Sequence, residues 1–190
     1  MGKSLLWSIP SEKEQDLKLL IGSRITDLIK MSDETFTEYI AYLEEIGNEN
    51  YKDKLSFFKF SFGGLLIQFD SGIQCYFSSA EDLNSIIIAF EADNNDFSGG
   101  TEELTHACEV ENNPFQNLLN KAIIQINILS RVDLNSKQLS TPSEVGMEFI
   151  MADDSKLVLS HNLTENNFVF GVLTEDDIYT SKTAILKSIR

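Results

Sequence analysis

Cysteine, histidine, proline and tryptophan are all scarce in this chain of 190 residues, which carries two, two, three and one of them. Two histidines exclude a histidine-rich metal centre. A Cys/His zinc site would need almost every soft ligand available (Cys75, Cys108, His106 and His161), at spacings that match no common structural zinc motif. A single possible cysteine pair in a chain without an export signal reads as two reduced thiols. Long apolar runs are missing too. No stretch approaches the roughly 18 residues of a membrane span, and Met1 to Pro10 has no apolar run followed by a small-residue cleavage site. The expected location is the cytoplasm, without membrane contact.

Basic side chains are in short supply: 15 Lys and Arg stand against 30 Asp and Glu, for a net charge of −15. Such a field repels nucleic-acid phosphates and anionic lipids, so neither is an expected partner. With 42% hydrophobic and 24% charged residues the composition is that of an ordinary folded domain, so the charge reflects sign and not disorder.

The familiar signatures of chemistry are also absent. There is no phosphate-binding glycine loop, dinucleotide fingerprint, serine nucleophile elbow or paired-histidine metalloprotease motif. His106 and Cys108 lie two apart, which on a strand turns both to one side, but a catalytic pair also needs an orienting group and a cleft. The run from Asp93 to Gly100 lacks the fifth, sixth and twelfth positions of a calcium loop. No catalytic residue, metal or cofactor is therefore assigned, and the chain is not expected to be an enzyme.

What the chain does contain is a repeat, the feature to settle before any fold is inferred. At an offset of 98, Leu20, Ile21, Ile25, Leu28, Met31 and Ser32 align with Leu118, Leu119, Ile123, Ile126, Leu129 and Ser130. At an offset of 82, Gly64 to Ile88 aligns without a gap with Gly146 to Phe170, so that Ile86, Ile87 and Ile88 fall opposite Phe168, Val169 and Phe170. The fall from 98 to 82 leaves copy one with 16 more residues between the two blocks. A helix over 35–46 accounts for them: Thr35 and Glu38 form a capping box, Phe36, Tyr39, Ile40, Leu43 and Ile46 follow helical spacing, and Gly47 supplies the stop.

Each copy reads as a short helix (Ser11 to Ile21; Pro114 to Lys121), a strand (Arg24 to Met31; Ala122 to Ser130), a hairpin and a closing strand (Ile86 to Phe90; Asn167 to Leu173). The hairpins turn at Asp70-Ser71-Gly72 and Asp153-Asp154-Ser155. Phe58, Phe60 and Phe62 alternate with Lys59 and Ser61, predicting an additional strand that packs in the core and turns at Gly63-Gly64. The expected fold is α+β and β-rich: two diverged copies of a helix-strand-hairpin-strand module, mostly antiparallel, with an extra helix in copy one. The first module spans 1–92, an acidic connecting loop 93–113 and the second module 114–190.

The segments LLIGSRITDLI and NLLNKAIIQINIL, each leading to a hairpin in GLLIQFDSGIQCYF and GMEFIMADDSKLVLSHNL, give a pattern that resembles small acidic bacterial proteins. Some of these are immunity partners in toxin systems, including contact-dependent growth inhibition. The resemblance implies a protein without chemistry of its own that binds a cognate toxin domain and occludes its active site. If that toxin is a nuclease, it presents a basic surface that an acidic inhibitor finds quickly. Candidate contact residues are Asp93, Asp96, Glu102 and Glu103 in the connector and Asp153 and Asp154 on the second hairpin; the alternative for each is plain solvated charge. Two other readings remain: a small enzyme or ligand-binding protein, signalled by a pocket between the modules lined with convergent polar groups, and an adaptor that pairs through an uncharged sheet edge.

Overall fold

The computed structural model describes residues 7–90, 101–131, 143–162, 170–174, 177 and 183–190. Two five-stranded antiparallel sheets face one another. The first runs in the order β4-β3-β2-β1-β5 and comprises β1 (Ile25–Ser32), β2 (Gly63–Phe69), β3 (Gln74–Ala80), β4 (Ser85–Phe90) and β5 (Glu103–His106). The second runs β10-β6-β7-β8-β9, with β6 (Ile123–Arg131), β7 (Gly146–Met151), β8 (Lys156–His161), β9 (Phe170–Leu173) and β10 (Thr183–Ile189). The fold is α+β and β-rich, and the two sheets are copies of one module.

Hydrogen-bond register makes the equivalence concrete. Met31 pairs with Gly64 and Leu129 with Gly146, while Leu65 pairs with Phe77 and Met147 with Leu159. Each first strand also has an irregularity at the same place, Ile25/Asp27 and Ile123/Gln125. That irregularity shifts the side-chain phase, so Ile124 is exposed while Ile126 and Ile128 are buried. The copies meet reciprocally: the Gly22 N–H donates to the Ile123 carbonyl at 2.8 Å, and the Asn120 N–H donates to the Ile25 carbonyl at 2.7 Å. Both donors sit at positive φ, +86° for Gly22 and +63° for Asn120, in the left-handed region that glycine and asparagine tolerate best.

The identity of Gly64 and Gly146 has a steric cause. A Cβ on Gly64 would strike the Phe77 carbonyl and the Tyr76 ring, and one on Gly146 would lie 3.2 Å from the equivalent Leu159 carbonyl. Between the sheets, Leu28, Leu65, Ile67 and Phe77 meet Ile126, Ile128, Met147, Phe149 and Leu159 in one continuous core. The Phe77 and Phe149 rings touch edge to face at 5.8 Å.

Among the described residues three α-helices accompany the sheets: α1 (Glu14–Lys18), α2 (Phe36–Glu45) and α3 (Lys54–Phe60). Helix α2 is the expected insertion. Its capping box is complete, with the Thr35 N–H donating to Glu38 at 2.7 Å and the Glu38 N–H donating to the Thr35 hydroxyl at 3.3 Å. Gly47, at φ +71°, ends it in a Schellman pair: Gly47 N–H to Glu44 carbonyl and Asn48 N–H to Leu43 carbonyl.

Several expectations are corrected. The Phe58-Phe60 stretch is helical, because the Asp53 carboxylate caps the Ser56 N–H at 2.7 Å and aromatic contacts surround the helix. Phe57 packs under α2, Phe58 enters the main core and Phe60 meets Val158 and Leu173, so a helix buried on several sides mimics period two. Phe62 is 48% exposed and not core. The stretch expected to be a connecting loop contains β5, held on β1 by pairs such as Leu104 with Met31, and β10 occupies the same place on β6. The ungapped alignment fails after Ser160: Ser78 pairs with Ile87 but Ser160 with Gly171, so the offset becomes 84. The first short helix begins as a 3-10 turn, Pro10–Lys13, that runs into α1, whereas the second, Pro114–Leu118, is 3-10 throughout and capped by the Asn113 side chain. His161 ends β8 and is buried. Among the described residues no helix is long and apolar enough to cross a membrane.

Candidate functional site

Of the acidic residues singled out from sequence, the described ones fall near opposite ends of β1. Asp93 and Asp96 lie outside the described residues. Glu102 is exposed, and its N–H donates to the Ser32 carbonyl at the end of β1. Glu103 is tied into the fold: one carboxylate oxygen accepts from the Phe36 N–H at 2.8 Å, in the first turn of α2, and the other from the Lys54 ammonium at 2.7 Å. Partial burial opposes ionisation of Glu103, but these two bonds outweigh it and hold the carboxyl below its usual range. Asp153 pairs with Lys121 and accepts from Ser155, which lowers its pKa to about 2. Asp154 takes the turn position at φ +68°. Ala152 bonds to Ala122, beside the start of β1, whereas Glu103 pairs with Ser32 at its far end. At about 3.3 Å per residue the two acidic groups are separated by roughly 23 Å of strand.

The His106 ring has an orienting group: Nδ1 lies 2.7 Å from the Asp27 carboxylate on the neighbouring strand. Among the described residues no hydrogen bond joins the Cys108 thiol to that ring; the His106–Asp27 contact fastens β5 to β1. Cys75 is buried in the core and Cys108 exposed, both as free thiols. No group of three or more His, Cys, Asp or Glu side chains among the described residues is arranged to hold a metal.

Among the described residues, a cavity lies under the insertion. Beyond Ser32 the chain runs through Asp33 and Glu34 into α2, and the turn from α3 into β2 (Ser61-Phe62-Gly63) is strapped against it. The Asp33 N–H donates to the Phe62 carbonyl at 3.1 Å, and the Phe62 N–H to Glu34 Oε1 at 3.0 Å. Gly63, at φ +108°, passes so close to the Met31 carbonyl that a Cβ would not fit. The resulting pocket, about 490 Å³, is walled by Asp33, Glu34, Tyr39, Tyr42, Ser61 and Phe62 among others, with Phe170 reaching in from the second sheet. That volume lies within the range of ligand-binding clefts.

Two polar atoms in this wall, the Tyr39 hydroxyl and the Ser61 Oγ, are buried without a hydrogen-bond partner among the described residues. Each costs about 1–3 kcal/mol until something satisfies it. Burial, with Asp53 and Glu34 nearby, raises the Tyr39 pKa and keeps the phenol protonated. Burial also raises the Glu34 carboxyl, against the Phe62 N–H and Lys30 that pull it down. Around the mouth, Tyr42, Ile46 and Phe62 are exposed, and the Tyr42 and Phe62 rings meet edge to face at 5.9 Å. The lining contains two acids and no base.

A third unpartnered buried group, the Lys30 ammonium, is in β1. It is fully buried, 4.9 Å from the centroid of the Phe170 ring, and is not itself part of the lining. Desolvation brings its pKa down to about 7, partly offset by Asp33 and Glu34. No protein-family model, curated protein or solved structure matches this chain. Sequence alone does not mark the pocket, since its walls come from five separate stretches, but one signal was available: at the offset of 98 Lys30 falls opposite Ile128, a charge where the other copy has a core isoleucine.

Proposed function

We propose that this protein is an immunity-type inhibitor that binds a cognate toxin domain with a basic surface and occludes its active site. The observation that carries the reading is the rim of the pocket. Tyr42, Ile46 and Phe62 are large side chains left exposed beside the carboxylates of Asp33 and Glu34, the first two on the insertion that distinguishes copy one from copy two. Aromatic anchors around a concave, partly acidic centre are typical of interface hot spots, and scattered single apolar residues are not. A net charge of −15 speeds encounter with a basic partner.

The test is to mix the protein with the toxin domain encoded beside it over a salt series. A stoichiometric complex at low salt that associates more slowly as salt rises is expected, and no complex at low salt rejects the reading. A second reading, a small-ligand-binding protein, is favoured by the Tyr39 and Ser61 hydroxyls, buried in the cavity wall without hydrogen-bond partners among the described residues. A third, an adaptor, draws on β10, an edge strand with Ile185 and Leu186 more than half exposed.

A further inference from the structure

We propose that the pocket beneath α2 is a receptor for a cationic side chain, an arginine above all, presented by the protein partner. The inference rests on the inhibitor reading for the identity of the partner, and on the pocket alone for the chemistry. Three observations converge. The wall carries the Asp33 and Glu34 carboxylates and no basic side chain, so the local field favours a cation. The rings of Tyr39, Tyr42, Phe60, Phe62 and Phe170 line the same space, and aromatic faces attract guanidinium and ammonium groups. The Tyr39 hydroxyl and Ser61 Oγ, on residues no more than 1% exposed, are buried in the same wall without hydrogen-bond partners among the described residues.

An arginine suits this set better than a lysine. Its planar fork offers five N–H donors that pair with a carboxylate in two-point fashion, and its face stacks on aromatic rings. The hydroxyl oxygens of Tyr39 and Ser61 accept from the remaining donors, satisfying the two buried orphans. Carboxylates held at a partly buried site attract the incoming charge more strongly than solvated ones on the outer surface. The Lys30 ammonium behind the Phe170 ring is the opposing charge, so occupation by a cation favours its neutral form.

The chemistry is tested on the protein alone, with N-acetyl-arginine amide as probe and the lysine and glutamine analogues beside it, followed by NMR. The arginine probe is expected to shift the signals of Tyr39, Tyr42, Ser61 and Phe62, more strongly than the lysine probe, with the glutamine probe inert. Glu34→Gln keeps an acceptor for the Phe62 N–H and is expected to weaken arginine binding at least 5-fold. Tyr42→Ala, at an exposed position that leaves the fold intact, does the same, and Glu102→Gln, an exposed acid outside the pocket, does not. Equal response to the glutamine probe, binding of inorganic phosphate in preference to the arginine probe, or indifference to Glu34→Gln overturns the inference.

The partner is tested separately with the toxin domain. A toxin complex weakened at least 10-fold by both Glu34→Gln and Tyr42→Ala supports the pocket as its receptor. A complex unaffected by either overturns the inference and leaves the inhibitor reading intact. Arginine binding without any toxin complex removes the inhibitor reading and the protein partner with it, making the pocket a site for small organic cations.

Discussion

Replacing Lys30 with methionine is expected to stabilise the protein, by an amount that depends on pH. Burial moves the ammonium pKa from 10.5 to about 7. At 1.36 kcal/mol for each tenfold change, the charged form costs the folded state about 5 kcal/mol. Between pH 7 and 10.5 the unfolded chain holds this proton and the folded chain does not, so stability rises with pH across that window. Below about 7 both states are protonated and the whole cost is present. Other groups act the opposite way: the buried Cys75 thiol and the Tyr76 phenol have raised pKa values, so above about pH 9 they make stability fall. The difference between wild type and Lys30→Met cancels them.

That difference is best measured by urea unfolding from pH 6.5 to 9.5. The single tryptophan, Trp7, sits 5.0 Å from the Tyr76 ring and reports the loss of packing by fluorescence. Lys30→Met is expected to be more stable at pH 6.5, with the advantage shrinking by about 2 kcal/mol between pH 8 and 9.5. Against a total stability of about 5–15 kcal/mol the effect is large. A difference that stays constant over the whole range would refute the reasoning, because it would mean that the Lys30 ammonium keeps its ordinary affinity for protons inside the fold.

The equivalent glycines are expected to respond unequally: Gly64→Ala drives a methyl into backbone and ring and costs about 1–3 kcal/mol, while Gly146→Ala, with 3.2 Å of clearance, costs less, as thermal melts will show. Asp153 is expected to titrate well below the ordinary carboxylate, by NMR, and to move back up in Lys121→Ala. Its small stabilising effect is present above pH 3.8 and disappears as the pH falls through about 2. Glu103→Ala removes both the bond to the first turn of α2 and the partner of Lys54, and is expected to cost about 1–2 kcal/mol in urea unfolding and to loosen α2 in hydrogen exchange.

Much of the architecture was legible because the repeat carries registration as well as similarity. The offset of 98 predicts that Ile25 and Ile123 occupy the same place, and the strand irregularities fall there. The 16-residue excess predicts a helix, and the capping box and Gly47 mark its ends. The strands β5 and β10 were hidden for a physical reason: each exists by pairing with the first strand of its own module, and the four residues of β5 are too few to show a period. Helix α3 reads as a strand in the sequence because its aromatics are buried on several sides, which erases the helical stripe. The pocket was illegible for the same kind of reason, since Asp33, Tyr39, Ser61 and Phe170 become neighbours only when the insertion folds over the end of the sandwich.

The reciprocal bonds between Gly22 and Ile123 and between Asn120 and Ile25 are those expected between two identical subunits across a symmetry axis. Joining the copies in one chain breaks that symmetry at will. In a true homodimer, a lysine at the Lys30 position would be buried twice, at a combined cost of about 10 kcal/mol, comparable with the entire stability of a domain. Here Ile128 fills the second position. A single polypeptide can thus keep one half as a plain hydrophobic brace while the other holds an electrostatically strained pocket, and each half is free to change without forcing the same change on the other.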